Sequence, residues 1–192
     1  MQRYFVSVEQ FKENTVEITG DDARHITKVM RGKVGDKIIV SDGLSREALV
    51  ELDVLEQDLV TANIVEHLDM LQEAQVKVTV AQSLPKGDKM ETVIQKCTEI
   101  GAVSFVPFLS ERTIVQYDSK KEEKRLDRWR KICKEAAEQS HRNIVPVVEP
   151  SLTWAQLMKS FTLYDAVYFC YEKEHGLQLR DAVTPFVKSV EV

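Results

Sequence analysis

The chain has 192 residues, of which 43% are hydrophobic and 30% are charged, and its formal net charge is −5. This length is enough for one large domain or two small ones, with a hydrophobic core that needs no disulfide bond or metal ion in order to fold. No apolar run approaches the ~20 residues that a membrane helix needs, and "MQRYFVSVEQ" lacks the apolar stretch of a signal peptide. The sequence therefore favours a soluble globular protein without a membrane partner.

The net charge hides a split along the chain. Residues 1–70 contain 8 Lys and Arg against 14 Asp and Glu, whereas residues 71–150 contain 14 against 12. A surface that binds a polyanion must therefore be local, and DNA is not an expected partner.

Three cysteines, Cys97, Cys133 and Cys170, lie far apart among apolar residues and form no Cys-x-x-Cys pair. An odd count with this spacing is typical of reduced core residues in a cytoplasmic protein. We expect the cytoplasm as the location, and we expect no metal site.

Residues 1–70 are predicted to form a small β-barrel with one helix. "RYFVSV" has the pattern of a strand, and "GDDARHITKVMRG" that of a short helix followed by Gly32. Three further β-rich runs are "DKIIVSDG", "REALVELDVL" and "LVTANIVEHL". The polar residues 69–75 are predicted to be a linker.

From residue 76 onwards, predicted strands alternate with predicted helices. The strands are "VKVTVAQSL", "AVSFVPFLS", "IVPVVEP" and "YDAVYFCYE"; the helices are "KMETVIQKCTEIGA", residues 121–143, "TWAQLMKSF" and "LQLRDAVTPFV". This alternation is typical of βαβ units. Residues 71–192 are therefore predicted to be an α/β domain with a mostly parallel sheet.

The turn "LPKGDKM" lies where a predicted strand meets a helix N-terminus. Lys86 and Lys89 flank Gly87 there, at the edge where open α/β sheets bind anionic ligands. Behind it, Glu91, Gln95 and Glu99 share one helical face, which is equally typical of a solvated surface. Arg112 follows the next strand and is predicted at the same edge, where it could bind phosphate or form a surface salt bridge.

Two further groups of polar residues are candidates for a site. Near the end of the long helix, Glu138, Gln139, Arg142 and Asn143 project away from the apolar stripe. In the first domain, a basic stripe recurs at i, i+4, i+7 with a histidine beside it, and such a stripe favours a polyanion: Arg24, Lys28, Arg31 and His25.

Five segments occur in the order found in one known family: "HITKVMR", "LPKGDKMETVIQKCTEIGA", "PFLSERTIV", "RWRKICKEAAEQSHRNIVP" and "CYE". The chain resembles the bacterial 16S ribosomal RNA uracil-N3 methyltransferases of the SPOUT superfamily from about residue 3 to residue 172. The resemblance implies a PUA-like barrel over residues 1–70, which helps to hold RNA. It implies the first part of a SPOUT methyltransferase domain over residues 71–192.

The resemblance also implies S-adenosylmethionine as the methyl donor, a homodimer, no metal, and one uridine of 16S ribosomal RNA in the small subunit as substrate. Glu138 and Glu99 are candidates for the base that removes the uracil N3 proton, and Arg142 could stabilise the uracil anion. The expected RNA contacts are Arg24, His25, Lys28, Arg31, Lys86, Lys89, Arg112, Gln139 and Asn143.

In the SPOUT family the donor site lies in a C-terminal knot with glycine-rich loops, such as Gly-Pro-Glu-Gly-Gly. This sequence contains no such segment, because its seven glycines are scattered. We therefore expect the donor site beyond residue 192, and expect these residues to be an inactive fragment or a truncated relative whose sheet has an uncovered apolar edge.

Two other functions agree with the sequence. The chain could be an RNA-binding relative that has lost the donor site. It could also be an α/β enzyme that uses Lys86 and Lys89 to hold a phosphorylated metabolite, although the basic stripe argues weakly against this.

Overall fold

The computed structural model describes residues 1–111, 113, 119–178 and 180–183. The first part of the chain forms a curled sheet of five strands: β1 (Arg3–Phe5), β2 (Thr15–Thr19), β3 (Lys37–Ser41), β4 (Glu47–Leu55) and β5 (Leu59–His67). Their order is β1-β3-β4-β5-β2, so β1 and β2 lie at the edges of a half-barrel. All pairs are antiparallel except β1 with β3.

Alternating β-branched and small residues build the core of this half-barrel. Buried side chains alternate along β2 and β5, whereas all three residues of β1 are buried. The fully buried side chains include Val16, Ile18, Val40, Val50 and Val60. The period-2 alternation explains why four of the strands were predicted. The sequence analysis missed β2, although "TVEIT" shows the same alternation.

A single helical segment crosses the half-barrel. Helix α1 (Gly20–Arg24) continues as a π-helical turn (His25–Val29) and packs Ala23 and Ile26 into the core. The helix predicted from "GDDARHITKVMRG" is thus confirmed. It ends before Arg31, whose φ of 54° is left-handed.

The second part of the chain is built on a parallel sheet. Its elements are β6 (Val78–Ser83), α2 (Lys89–Glu99), β7 (Ala102–Leu109), α3 (Ser119–Gln139), β8 (Val147–Val148), β9 (Leu152–Thr153) and α4 (Trp154–Ser160). Strand β7 pairs in parallel with β6, β8 and β9. Helices α2 and α3 bury their predicted apolar stripes against it, including Met90, Ile94, Trp129 and Cys133. The predicted fold class is confirmed.

The strand predicted in "YDAVYFCYE" is wrong, because residues 166–170 have no regular secondary structure. A strand needs a partner, and no described strand pairs with this segment. Phe169 is therefore 76% exposed and Tyr171 is 55% exposed. Cys170 is exposed rather than in the core, whereas Cys133 is buried and Cys97 is half-buried. In the helix predicted from "LQLRDAVTPFV", residues 180–183 are helical, and most of its other residues lie outside the described ones.

A buried polar network joins the half-barrel to the parallel-sheet part. Arg3 Nη2 donates to Glu47 Oε1 at 2.7 Å, and Asn143 Nδ2 donates to Glu47 Oε2 at 2.8 Å. The Arg3 guanidinium also donates to the carbonyl of Arg142. The side chains of Arg3 and Glu47 are only 1% and 3% exposed. A carboxylate of the half-barrel therefore holds the segment that follows α3.

The linker enters the same network through Glu73. Its carboxylate accepts hydrogen bonds from the Arg142 side chain at 3.1 Å and from the backbone N–H of Asn143 at 2.9 Å. The N–H of Gln72 donates to Asn143 Oδ1 at 2.8 Å. The first sheet ends at His67 and the second begins at Val78, and the proposed division after residue 70 stays a prediction.

Removing one partner of the network should destabilise the whole chain. In Glu47→Ala the Arg3 guanidinium stays buried without its carboxylate, which typically costs about 3–5 kcal/mol. Urea unfolding should show this loss, while Glu66→Ala, at an exposed glutamate of β5, should change the free energy of unfolding by less than about 0.5 kcal/mol. Equal effects of the two substitutions would contradict a structural role for the network.

Candidate functional site

The turn after β6 and the segment after β7 lie at one edge of the parallel sheet. Ser83 Oγ lies 2.9 Å from Ser110 Oγ, and the N–H of Leu84 donates to Phe108 O at 3.0 Å. Because the strands are parallel, their carboxyl ends meet here. The turn after β6 and the segment after β7 therefore meet at one edge of the sheet, as the sequence predicted.

This edge presents lysines without anionic partners. Gly87 has a φ of 67°, a conformation that favours glycine, and Asp88 precedes the first residue of α2. Lys86 and Lys89 are exposed, and among the described residues no ion pair involves either of them. Arg112, predicted beside them, lies outside the described residues. We name residues 84–89 and 110 the sheet-edge turn.

A groove of about 320 Å³ runs between α2 and α3. It is lined by Asp88, Glu91, Thr92, Gln95, Ile132, Glu135, Ala136 and Gln139. Three of these side chains are carboxylic acids, although Glu91 is paired with Arg128 at 2.7 Å. An acidic lining repels phosphate, so this groove does not favour a phosphorylated metabolite. The small-molecule alternative, which uses Lys86 and Lys89 outside this groove, stays open.

Glu99 does not line this groove. It lies at the last turn of α2, roughly 15 Å along the axis from Lys89 at 1.5 Å per residue. Its carboxylate pairs with Lys96 at 2.8 Å in a partly exposed i,i+3 contact. Sharing a helical face with Glu91 and Gln95 is therefore not enough to bring Glu99 to the sheet-edge turn.

Arg142 lies at the opposite edge of the sheet. Its guanidinium donates to the carbonyls of Thr98 and Ala102, the latter being the first residue of β7. It also forms an ion pair with Glu73 at 2.5 Å, and Arg142 is 5% exposed. Nearly all of its donors are used within the chain, which makes Arg142 a structural contact here. Its predicted role at a uracil anion stays a prediction.

Asn143 is placed like Arg142. It is 1% exposed, and both ends of its amide are hydrogen-bonded, to Glu47 and to the N–H of Gln72. The structure thus places Asn143 in the buried polar network between the half-barrel and the parallel-sheet part. Its predicted RNA contact stays a prediction. Gln139 is exposed and lines the groove instead.

Glu73 has a perturbed pKa because of this network. Burial alone would raise the pKa of its carboxyl group. Hydrogen bonds from Arg142 and Asn143, together with the Arg142 charge, outweigh burial and lower the pKa. Glu73 is therefore a stabilising carboxylate that sequence analysis missed, since its partners lie 69 and 70 residues away in the chain.

Glu138 lies between α3 and the half-barrel. Its Oε1 accepts a hydrogen bond from the N–H of Phe5 at 3.0 Å and lies 3.5 Å from Lys134 Nζ. Burial raises the pKa of Glu138, while Lys134 and the Phe5 N–H oppose the shift and the Asp22 charge adds to it. A carboxyl group with a raised pKa is chemically suited to accept a proton, so its candidacy as a base stays an untested prediction.

His25 contacts the same cluster through Tyr4. The Tyr4 hydroxyl lies 2.9 Å from His25 Nδ1, and the two rings meet edge to face. Burial and the charges of Glu138 and Asp22 raise the pKa of Tyr4 to about 12. The Tyr4 hydroxyl is therefore neutral at ordinary pH. Lys134 also pairs with Asp22, which ties α3 to α1.

The predicted basic stripe does not lie on one helical face. Arg24 is held by Asp58 at 2.5 Å and by Asp21 at 3.3 Å. Arg31 follows the helix in a left-handed conformation, and the π-helical turn between them changes the residue period. Lys28 and Arg31 are exposed, and neither forms an ion pair with a described residue.

The predicted site residues are thus spread over several places, and two sets of them lie at opposite edges of the parallel sheet. Lys86 and Lys89 lie at the carboxyl edge of β7, whereas Arg142 and Asn143 lie at its amino edge. Seven steps of about 3.3 Å put these edges roughly 23 Å apart. Within the described residues of one chain, the candidates do not form one catalytic centre.

Comparison with known families agrees with this two-part architecture. A profile described as "RNA methyltransferase domain" matches residues 72–189, and one described as "RNA methyltransferase PUA domain" matches residues 18–65. The chain belongs to the RNA methyltransferase family. The recognised resemblance is thereby confirmed.

The similar proteins include several named ribosomal RNA small subunit methyltransferase E. The one from Bacillus subtilis is 43% identical over 176 residues, which cover 90% of this chain and 69% of the relative. The one from Synechocystis is 37% identical over 157 residues, covering 82% of this chain and 50% of the relative. The chain spans between half and about two thirds of the length of these relatives.

Solved structures with the same fold include two complexes. The Neisseria gonorrhoeae ribosomal RNA small subunit methyltransferase E bound to S-adenosylmethionine superposes with a TM-score of 0.76 at 33% identity, covering 82% of this chain and 65% of that one. A Legionella pneumophila methyltransferase with bound S-adenosylmethionine superposes with a TM-score of 0.77 at 26% identity, and the match covers 83% of this chain and 66% of that one.

No helix in the described part of the chain is both long and apolar enough to cross a bilayer. No group of three His, Cys, Asp or Glu residues within it is arranged to hold a metal ion.

Glu73 and Glu138 should affect stability with opposite dependence on pH. The lowered pKa of Glu73 means that its contribution is present above the unfolded pKa of about 4.3 and is lost as the pH falls. The raised pKa of Glu138 means that the contribution of this group is present at low pH and is lost as the pH rises through the folded value.

Urea unfolding of Glu73→Gln and Glu138→Gln between pH 3 and pH 7 checks this. The destabilisation by Glu73→Gln should shrink as the pH is lowered, whereas Glu138→Gln should become relatively more favourable as the pH rises. Glu66→Gln is the control for a solvated carboxylate. Parallel profiles for the two variants would show that at least one shift has the wrong sign.

Proposed function

We propose that the chain serves the S-adenosylmethionine-dependent methylation of N3 of one uridine in the 16S RNA of the small ribosomal subunit. The observation that carries this proposal is the match of residues 72–189 to the RNA methyltransferase domain, next to a PUA-type half-barrel. Relatives named for the small-subunit RNA and neighbours bound to S-adenosylmethionine support the substrate and the donor. A homodimer in the cytoplasm is part of the proposal.

In this proposal the sheet-edge turn faces the RNA. Lys86 and Lys89 are exposed cations at the start of α2, and they offer charge to backbone phosphates close to the target uridine. The base must leave its stack to be modified at N3. Arg112 is proposed to act with the two lysines, on the resemblance alone.

The uracil N3 proton must leave before N3 can accept a methyl group. A positioned carboxylate or nearby cations can assist this step. Of the two candidates, Glu138 has the raised pKa but faces the half-barrel, whereas Glu99 is tied to Lys96. We retain both as proposals, and also Arg142 as a group that could stabilise the uracil anion.

We propose that the described residues hold no complete donor site. Two of their grooves lie between α2 and α3 and in the half-barrel, and neither is bordered by consecutive glycines. Close backbone approach to an adenosyl group normally requires such a loop. This observation favours one alternative, namely that residues 1–192 bind RNA without binding the donor.

Calorimetry of the 192-residue polypeptide with S-adenosylmethionine tests the donor site. We expect no binding, or binding weaker than millimolar, and no methyl transfer by this polypeptide. Binding at micromolar concentration would show that these residues build a donor pocket that has not been identified.

The reaction itself is tested in cells that contain or lack the whole gene in which these 192 residues are encoded. A methyl group on N3 blocks the Watson–Crick edge of uracil, so reverse transcription of 16S RNA should stop at one uridine. The stop should be present with the gene, absent without it, and restored by a plasmid copy. An identical pattern in both strains would contradict the proposal.

Complementation also tests the sheet-edge turn. A plasmid copy with Lys86→Ala and Lys89→Ala should restore the stop poorly, at a tenth or less of the wild-type level, because two phosphate contacts are lost. The melting temperature of the variant should change by no more than about 2 °C, since both side chains are exposed. Lys120→Ala with Lys124→Ala, at exposed positions of α3, is the charge-matched control. Full restoration by the Lys86/Lys89 variant would make these lysines ordinary surface residues.

A further inference from the structure

The half-barrel contains a second pocket of about 390 Å³. Its floor is largely apolar, because it is formed by the core side chains Tyr4, Ile26, Ile38 and Leu52, which are all at most 7% exposed. We name it the barrel pocket. Neither the sheet-edge turn nor the α2–α3 groove shares a lining residue with it.

The rim of the barrel pocket combines an exposed apolar side chain with polar groups. Met30 is 44% exposed, and Asp36 and Lys37 line the same rim. Asp36 Oδ2 accepts a hydrogen bond from the N–H of Lys33 at 2.8 Å. Its other oxygen has no hydrogen-bond partner among the described residues, so it can accept one from a ligand.

Unpaired cations cluster in the segment that forms this rim. Lys28, Arg31, Lys33 and Lys37 are exposed, and among the described residues none of the four forms an ion pair. Other cations of the half-barrel are paired: Arg3 with Glu47, Lys12 with Glu17, Arg24 with Asp58 and Arg46 with Asp42. In a chain of net charge −5, four unpaired cations within ten residues form a local site for a polyanion.

We propose that the barrel pocket binds one unstacked nucleotide of single-stranded RNA. The base lies on the apolar floor beside Met30, and the free oxygen of Asp36 accepts a hydrogen bond from a base N–H. The flanking phosphates lie against the cations of residues 28–37. This inference rests on the proposed function, and it adds a single-strand subsite distinct from the sheet-edge turn.

The chemistry favours single-stranded over duplex RNA. A base in a duplex is stacked and paired, so it cannot enter a pocket without breaking both interactions, whereas an unpaired base can. A flat electrostatic surface would bind both forms, because a duplex also presents phosphates. The apolar pocket and the cations therefore contribute to RNA affinity in ways that can be measured separately.

Fluorescence anisotropy with labelled RNA separates the contribution of the pocket from that of the cations. The 192-residue chain should bind a short single-stranded oligoribonucleotide at least tenfold more tightly than its duplex. Met30→Ala should weaken single-strand binding several-fold and leave the salt dependence unchanged. A variant with Lys28, Lys33 and Lys37 replaced by alanine should lower the slope of log K against log salt by about 2, at about 0.7 per phosphate contact.

Two control variants test whether a general loss of apolar surface or of net charge explains weaker RNA binding. Val65→Ala, at a 49% exposed position of β5, controls for loss of an exposed apolar side chain. Replacement of Lys12, Lys77 and Lys173, three exposed lysines elsewhere, controls for net charge. Both should bind RNA like the wild type, and circular dichroism should show that every variant is folded.

Four results would each overturn the inference. Equal affinity for single-stranded and duplex RNA, or unchanged binding by Met30→Ala, would remove the nucleotide pocket but leave RNA as the substrate class. No binding to either RNA would overturn both this inference and the RNA-binding part of the proposed function. Sedimentation showing self-association that Met30→Ala abolishes would mean that a second copy occupies the pocket.

Discussion

The structure depends on a buried carboxylate, Glu47, which is shared between the two parts of the chain. It binds Arg3 from its own half-barrel and Asn143 from the segment that follows α3. Burying such charges costs free energy, and an apolar interface of the same shape would often be as stable. The network restricts geometry instead, because only one orientation of the half-barrel satisfies these donors and acceptors together.

This constraint determines where function can be located. The end of α3 is occupied by structural contacts, with Glu73 and Arg142 completing the connection to the linker. The proposed RNA contacts are therefore the sheet-edge turn, where Lys86 and Lys89 are exposed, and the rim of the half-barrel, whose cations form no ion pair with a described residue. The buried network joins the half-barrel to the amino edge of the parallel sheet, whereas the sheet-edge turn lies at the carboxyl edge.

Local patterns predicted most of the fold. The apolar periods of α2 and α3, the alternation in β3 to β5 and the change of pattern near residue 76 all depend on neighbours in sequence. The segment "YDAVYFCYE" has the same local pattern as a strand, but strand formation depends on a partner, and no described strand provides one. Its side chains are exposed for this reason.

The candidate site was harder to predict, because polar residues do not reveal their partners. Arg142 and Asn143 were selected as polar residues at a helix end, yet they bind groups 69 and 96 residues away. Arg24 was grouped with Lys28 by spacing alone, whereas Asp58, from a different strand connection, neutralises it. Lys86 and Lys89 were predicted by a rule about sheet edges, and the structure does place their turn at such an edge.

Amide hydrogen exchange tests the shared network most directly. The N–H groups of Phe5, Gln72, Asn143 and Ile144 all donate to side chains of residues at this interface. If the two parts are held as one unit, these amides should exchange with the same opening free energy as the core of β4 and β7. Exchange of these four amides at least a hundredfold faster than both cores would show that the interface opens on its own, and would contradict the account.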